Sequence, residues 1–124
     1  MDLESVKKHI SNELVSLETE IQRRIKTKVE LINTLSQHIL SGGGKRLRPT
    51  ILFLSNKACS KIGTNLVDAA VVVEFIHAAT LLHDDVVDES KIRHGEKTAN
   101  DIWGNQGAVL VGDFLYSRAF EIIV

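Results

Sequence analysis

Cysteine occurs once in these 124 residues, proline once, and neither charge is in excess: 15 Lys and Arg stand against 16 Asp and Glu, a net of −1. A lone Cys59 cannot close an internal disulfide, and its place in the apolar segment "ILFLSNKAC" leads us to expect a reduced, buried thiol in a cytoplasmic protein. The balanced charge gives no global sign of a nucleic-acid partner. Strand alternation, hairpin turn pairs and fixed-period repeats are also missing, which argues against β architectures and solenoids. The N-terminal "MDLESVKKHI" has no apolar h-region, and the longest apolar stretch is interrupted by Glu74 and His77, so neither export nor a membrane span is expected.

What remains is helix. Leu3, Val6, Ile10, Leu14, Leu17 and Ile21 recur at steps of three and four, predicting an amphipathic helix over residues 2–22. A second is expected over 28–40, ending at "SGGGKRLRP", where Pro49 suits the start of a third that runs to about 61 and breaks at Gly63. Residues 65–88 form the longest apolar run, hydrophobic nearly all round, and should be a central buried helix. A polar loop with Gly95, a short helix over 98–103 and a final helix of about 18 residues complete an all-α chain. That final helix reaches Val124 with no Gly, Asn or Pro to end it, the pattern of an interrupted chain.

The central helix ends in "LLHDDVVDES", where Asp84 and Asp88 fall one turn apart on one face and Asp85 lies to the side. Stacked carboxylates repel unless a cation sits among them, and two carboxylates plus phosphate oxygens suit Mg²⁺. A calcium hand is excluded because Val86 and Val87 occupy ligand-bearing positions. The His83-Asp84 doublet of metal phosphohydrolases lacks further His–Asp pairs. The Glu74-x-x-His77 pattern of di-iron bundles lacks its second copy. The plain alternative is a solvated helix end.

"GGGKRLRP" is a second constellation, in which glycine N–H groups and the charges of Lys45, Arg46 and Arg48 crowd at a helix N-terminus, as a phosphate cradle would. It is not a nucleotide P-loop: Ile39 and Arg46 stand where that loop needs Gly and Ser or Thr. Arg93 and His94 add a third anion site, and His77 lies two turns below Asp84 on nearly the same face.

The succession "GGGKRLRP", "EFIHAATLLHDDVVDES", "RHG" and "GNQGAVLVGDFLYSRAF" closely resembles the trans-polyprenyl (long-chain isoprenyl) diphosphate synthase family, particularly its octaprenyl type. The resemblance implies the helical bundle of the isoprenoid synthases, a homodimer, Mg²⁺, and head-to-tail condensation of isopentenyl diphosphate onto an allylic diphosphate. It gives Asp84, Asp85 and Asp88 the catalytic acidic motif, with Asp84 and Asp88 on the metal and Asp85 supporting them. Arg93 would grip the allylic diphosphate, while Lys45, Arg48 and His77 would hold isopentenyl diphosphate. His94 stands where the family usually has an Arg that helps bind the isopentenyl group, and an imidazole is a weaker anion contact. Ala79 and Thr80 occupy positions where short-chain relatives carry bulky aromatics, implying an open tunnel and a long, octaprenyl-length (C40) product for a quinone side chain. The family's second Asp-rich motif lies beyond this length. The chain therefore reads as residues 1–124 of one synthase domain, cut before that motif and inactive alone. The rival reading is a short, non-catalytic helical subunit that dimerises with a full synthase and modulates it; degenerate carboxylates would favour that, and here they are intact.

Overall fold

The amphipathic stretch expected as one helix is two, α1 (Leu3–Lys8) and α2 (Ser11–Arg24), in the computed structural model, which describes residues 2–41, 44–59 and 66–124. Asp2 starts α1: its carboxylate accepts the Ser5 N–H at 2.8 Å, and this bond holds its pKa below the usual carboxylate value. The break falls at Ile10, whose φ of −127° and ψ of 26° leave the helical region and whose side chain is fully shielded in the core. There the His9 carbonyl accepts from the Lys57 ammonium at 2.5 Å, tying the break to a side chain 48 residues further along.

Next come α3 (Glu30–Ser41) and α4 (Leu47–Ala58). Pro49 does not open α4 but sits third in it, still in the first turn, where a missing N–H breaks no ladder bond. The expected break at Gly63 lies outside the described residues. Cys59 is exposed, contrary to expectation: it is the C-cap of α4, one residue past the amphipathic repeat, and it donates its backbone N–H to the Ser55 carbonyl.

The long apolar run is α5 (Leu66–Val87). By length and composition alone this helix could cross a membrane; in this fold it is the central element, packed on α2, α4 and the last helix of the chain. Ala70, Val71, Glu74, Phe75, Ala78, Ala79, Leu82 and Asp85 are its buried positions, spaced by three and four.

After α5 a two-residue antiparallel ladder appears that sequence patterning missed: β1 (Ile92–Arg93) pairs with β2 (Glu96–Lys97). The turn residues His94 (φ 51°) and Gly95 (φ 80°) both have positive φ, as a type I′ hairpin needs. Strands this short cannot display alternation, and His-Gly is not among the usual turn pairs.

Thr98 then caps α6 (Ala99–Trp103), accepting the Asp101 N–H while donating its hydroxyl to the Ser90 carbonyl at 2.8 Å. Last comes α7 (Asn105–Ile123), whose buried face is largely small residues such as Gly107, Ala108, Gly112 and Ala119. They let α7 lie close on α5, and a methyl group at 112 would intrude on the His83 ring. The opposite face of α7 exposes Val109, Leu110 and Phe120.

Candidate active site

A helix C-terminus carries partial negative charge, so acids there are unfavourable without a cation. The last turn of α5 holds Asp84 and Asp85 and no basic residue, and Asp88 and Glu89 follow immediately. Glu89 adopts the left-handed conformation (φ 53°), and the Ser90 N–H closes the end on the Asp85 carbonyl at 2.9 Å, a Schellman-type stop.

The three aspartates meet different fates. Asp85 is buried and is gripped by the Arg93 guanidinium, Nε donating to Oδ2 at 3.0 Å and Nη2 to Oδ1 at 2.6 Å. That bond raises the Arg93 pKa above its ordinary value, opposed by partial burial and aided by the charges of Asp85, Asp84 and Asp88. Asp84 and Asp88 are exposed, and neither carboxylate has an ion-pair partner among the described residues. Nor, among those residues, do three His, Cys, Asp or Glu side chains converge as a self-sufficient metal site.

Residues 44–46, just before α4, and the hairpin face each other across α5, and between them opens a cleft of about 360 Å³. Lys45, Arg48, His77, Arg93 and His94 all line it, together with Asp85. The five expected substrate contacts thus converge, although they come from three separate stretches of sequence. Asp84 and Asp88 do not line the cleft; they act on Arg93 from beside it.

Arg48 Nη1 lies 3.1 Å from His77 Nε2. A guanidinium only donates, so Nε2 accepts and His77 carries its proton on Nδ1. Burial lowers the His77 pKa below its ordinary value; the Arg48 charge and the more distant Arg93 lower it further, against the opposing pull of Glu74. His77 is therefore a neutral ring in this arrangement.

Several residues behave otherwise than their sequence pattern indicated. Arg46, grouped above with the phosphate cradle, turns its guanidinium to Glu18 and Glu74. That contact also disposes of the di-iron reading of Glu74. His83 offers nothing to a phosphohydrolase site, because its Nε2 donates to the Val109 carbonyl at 3.2 Å and sits 3.4 Å from Asp113 on α7. Ala79 is fully buried in the core, outside the cleft. The Thr80 hydroxyl donates to the Ile76 carbonyl at 2.8 Å and lies 3.0 Å from the Tyr116 hydroxyl, which donates to it.

His38 and Lys97 were missed altogether. Both line the cleft, and His38 Nε2 donates to the Lys97 carbonyl at 3.0 Å while its ring meets Trp103 edge-on. His38 therefore holds the second hairpin strand against α3. No local motif announces a histidine on one amphipathic helix pairing with a backbone 59 residues away.

A helical bundle with a basic loop, a neutral histidine and a carboxylate-tipped helix around one cleft is of the isoprenoid synthase type. The chain belongs to the Polyprenyl synthetase family, whose sequence pattern matches residues 29–124. It is 46% identical to the octaprenyl diphosphate synthase of Escherichia coli over 99% of this chain and 38% of that protein. An all-trans-nonaprenyl-diphosphate synthase of Rhodobacter capsulatus is also 46% identical, over 93% of this chain and 36% of the relative.

Among solved structures, a decaprenyl diphosphate synthase from Rhodobacter capsulatus superposes with a TM-score of 0.94 at 37% identity, covering 98% of this chain and 38% of that one. A polyprenyl synthase from Caulobacter crescentus, complexed with calcium and isoprenyl diphosphate, gives 0.93 at 38% identity, covering 98% and 37%. The chain thus spans little more than a third of the length of these relatives.

Proposed function

We propose that this chain is the N-terminal part of one synthase domain whose complete form joins isopentenyl diphosphate head-to-tail to an allylic diphosphate, giving a long, octaprenyl-length product. One observation carries the reading: Lys45, Arg48, His77, Arg93 and His94 line a single cleft at the foot of a helix tipped by the unpaired carboxylates Asp84 and Asp88. Diphosphates need concentrated positive charge and hydrogen-bond donors; the carboxylates need a cation.

Two exposed carboxylates one turn apart fit Mg²⁺, which keeps waters and takes its remaining ligands from phosphate oxygens. Asp84 and Asp88 would hold it, and when bound it would offset the charge growing on the departing diphosphate. The residues of the chain do the rest. Asp85 fixes Arg93 through Nε and Nη2, which leaves Nη1 for the allylic diphosphate. Lys45 and Arg48 present donors to isopentenyl diphosphate from the first turn of α4 and the residues before it, and neutral His77 orients Arg48. His94, at the hairpin tip, adds a ring donor on the opposite wall.

A homodimer is part of the proposal, supported by the apolar outer face of α7, where Val109, Leu110 and Phe120 stand exposed. So is a cytoplasmic location, in keeping with a single free cysteine that closes no internal disulfide.

The test is to express the complete synthase carrying this segment and, separately, the 124-residue chain. Both are supplied with isopentenyl diphosphate, an allylic diphosphate and Mg²⁺. The complete protein should make long polyprenyl product and the short chain none. Product from the purified short chain would overturn the fragment reading, and no consumption of isopentenyl diphosphate by the complete protein would overturn the activity.

A further inference from the structure

We infer that Arg46, the buried member of the basic loop, is a positioning residue for isopentenyl diphosphate: it sets Lys45 and Arg48 in register with α5 and does not itself bind the diphosphate. The inference rests on the function proposed above and deepens it.

Arg46 and Glu74 both border the cleft, yet all four bonds that leave the guanidinium go to groups of the protein itself. Nε donates to Glu18 Oε1 at 2.6 Å and Nη2 to Glu18 Oε2 at 3.2 Å, a bidentate fork onto α2. Nη1 donates to Glu74 Oε2 on α5 at 2.9 Å, and Nη2 also reaches the Leu40 carbonyl near the end of α3 at 2.7 Å. One side chain therefore joins three helices. Only 12% of it is exposed, and 7% of Glu74.

Burial works against the charge on Arg46, but the Glu18 and Glu74 carboxylates outweigh it and raise the guanidinium's pKa. A buried charge so matched is satisfied and has little left for a ligand.

The backbone tells the same story. Arg46 is left-handed, with φ 54° and ψ 37°, at the N-cap of α4. A residue with a Cβ holds that conformation only where its surroundings fix it. The loop packs tightly here too: a Cβ on Gly44 would stand 3.3 Å from Arg46 Nη1.

What this fixes is a register between two segments. Arg46 meets Glu74, and two residues on, Arg48 meets His77, one helical turn further along α5. Slackening the first contact lets the second drift, and with it the donors of Lys45 and Arg48.

The decisive variant is Glu18→Gln in the complete synthase. Glu18 does not line the cleft and sits on another helix from His77. Were Arg46 a direct ligand, removing a competing carboxylate would free it and lower the KM for isopentenyl diphosphate. Positioning predicts the opposite sign, a rise of about three-fold, with the allylic KM unchanged. Arg46→Lys keeps the charge but cannot fork, and should raise the isopentenyl diphosphate KM ~10-fold or more while again sparing the allylic KM.

Glu18→Gln leaving that KM unchanged or lowering it overturns the inference, as does Arg46→Lys with wild-type KM. Should Arg46→Lys fail to fold, the sign of the Glu18→Gln effect decides alone. If the wild-type complete synthase forms no prenyl product, the underlying function fails, and direct titration of isopentenyl diphosphate into wild type and Glu18→Gln still tests the register.

Discussion

The basic loop before α4 and the acidic end of α5 are built alike. Each presents several charged side chains in a short stretch, and in each the fold shields one while its neighbours stay exposed: Arg46 is largely shielded beside exposed Lys45 and Arg48, and Asp85 is buried beside exposed Asp84, Asp88 and Glu89. They differ in what surrounds the buried member. Arg46 is enclosed by two carboxylates and a carbonyl from three helices, whereas Asp85 leans on a single arginine that itself lines the cleft. The loop is thus anchored in the scaffold, while the acidic end is anchored through a residue of the cleft wall. In these two motifs, the members proposed to bind ligand are those the fold leaves without an ion-pair partner among the described residues, and the paired member reveals how firmly they are held.

The largest effect should come from the unpaired acids. In the complete synthase, Asp84→Ala or Asp88→Ala is expected to lower kcat by roughly 10³-fold or more, because the cation on the leaving diphosphate loses a ligand. Steady-state kinetics at saturating substrate measure this; near-normal turnover in Asp84→Ala would break the parallel with the basic loop.

On the basic side, Lys45→Ala or Arg48→Ala should raise the KM for isopentenyl diphosphate by about 10- to 100-fold, with a smaller change in kcat. Varying each substrate in turn separates the two, and an allylic KM that moved as much would assign the loop to the wrong substrate.

The single-partner anchorage of Asp85 is sharpened by Arg93→Met, which strands a buried carboxylate. We expect a loss of about 3 kcal/mol of stability as well as weaker allylic binding. Arg93→Met/Asp85→Leu should recover much of the stability but none of the binding, as equilibrium denaturation and titration would show.

Chain length tests the helix below the acids. Thr80→Phe should shorten the product, read by chromatography after dephosphorylation. Ala79→Tyr, at a fully buried core position, is expected instead to cost about 1–3 kcal/mol by overpacking.

The smallest effect is a pH dependence. The pKa of His77 is lowered in the fold, so its contribution to stability is complete above the ordinary histidine value and is lost as pH falls through the folded pKa. Wild-type Tm should therefore drop more between pH 7 and 5 than that of His77→Gln. Parallel curves would mean that His77 is not held neutral.

The helical class and the helix count after residue 28 were legible because they follow from period, length and glycine punctuation, whereas the expected site residues around the cleft came from the order of the charged motifs and the family they resemble. The split at Ile10 was not, since its reward is a tertiary one: burial of a single side chain against helices far away in sequence. The hairpin escaped because its strands are two residues long. Arg46 was grouped with its neighbours because charge in a sequence carries no sign of direction, and only the positions of Glu18 and Glu74 show that it points inward. Cys59 erred the other way, its apolar neighbours implying a burial that the helix end does not provide.

The contact between His83 and Gly112 has a consequence for descent as well as for packing. A methyl group at 112 would overlap the imidazole at 83, so the ring must swing off its Val109 contact to admit it and the two positions constrain each other. Among proteins that keep this arrangement of α5 and α7, any side chain at 112 should be accompanied by a smaller residue at 83. The step between the two states should pass through the small residue first, because the reverse order crosses a chain whose His83 ring has been pushed from its place against α7.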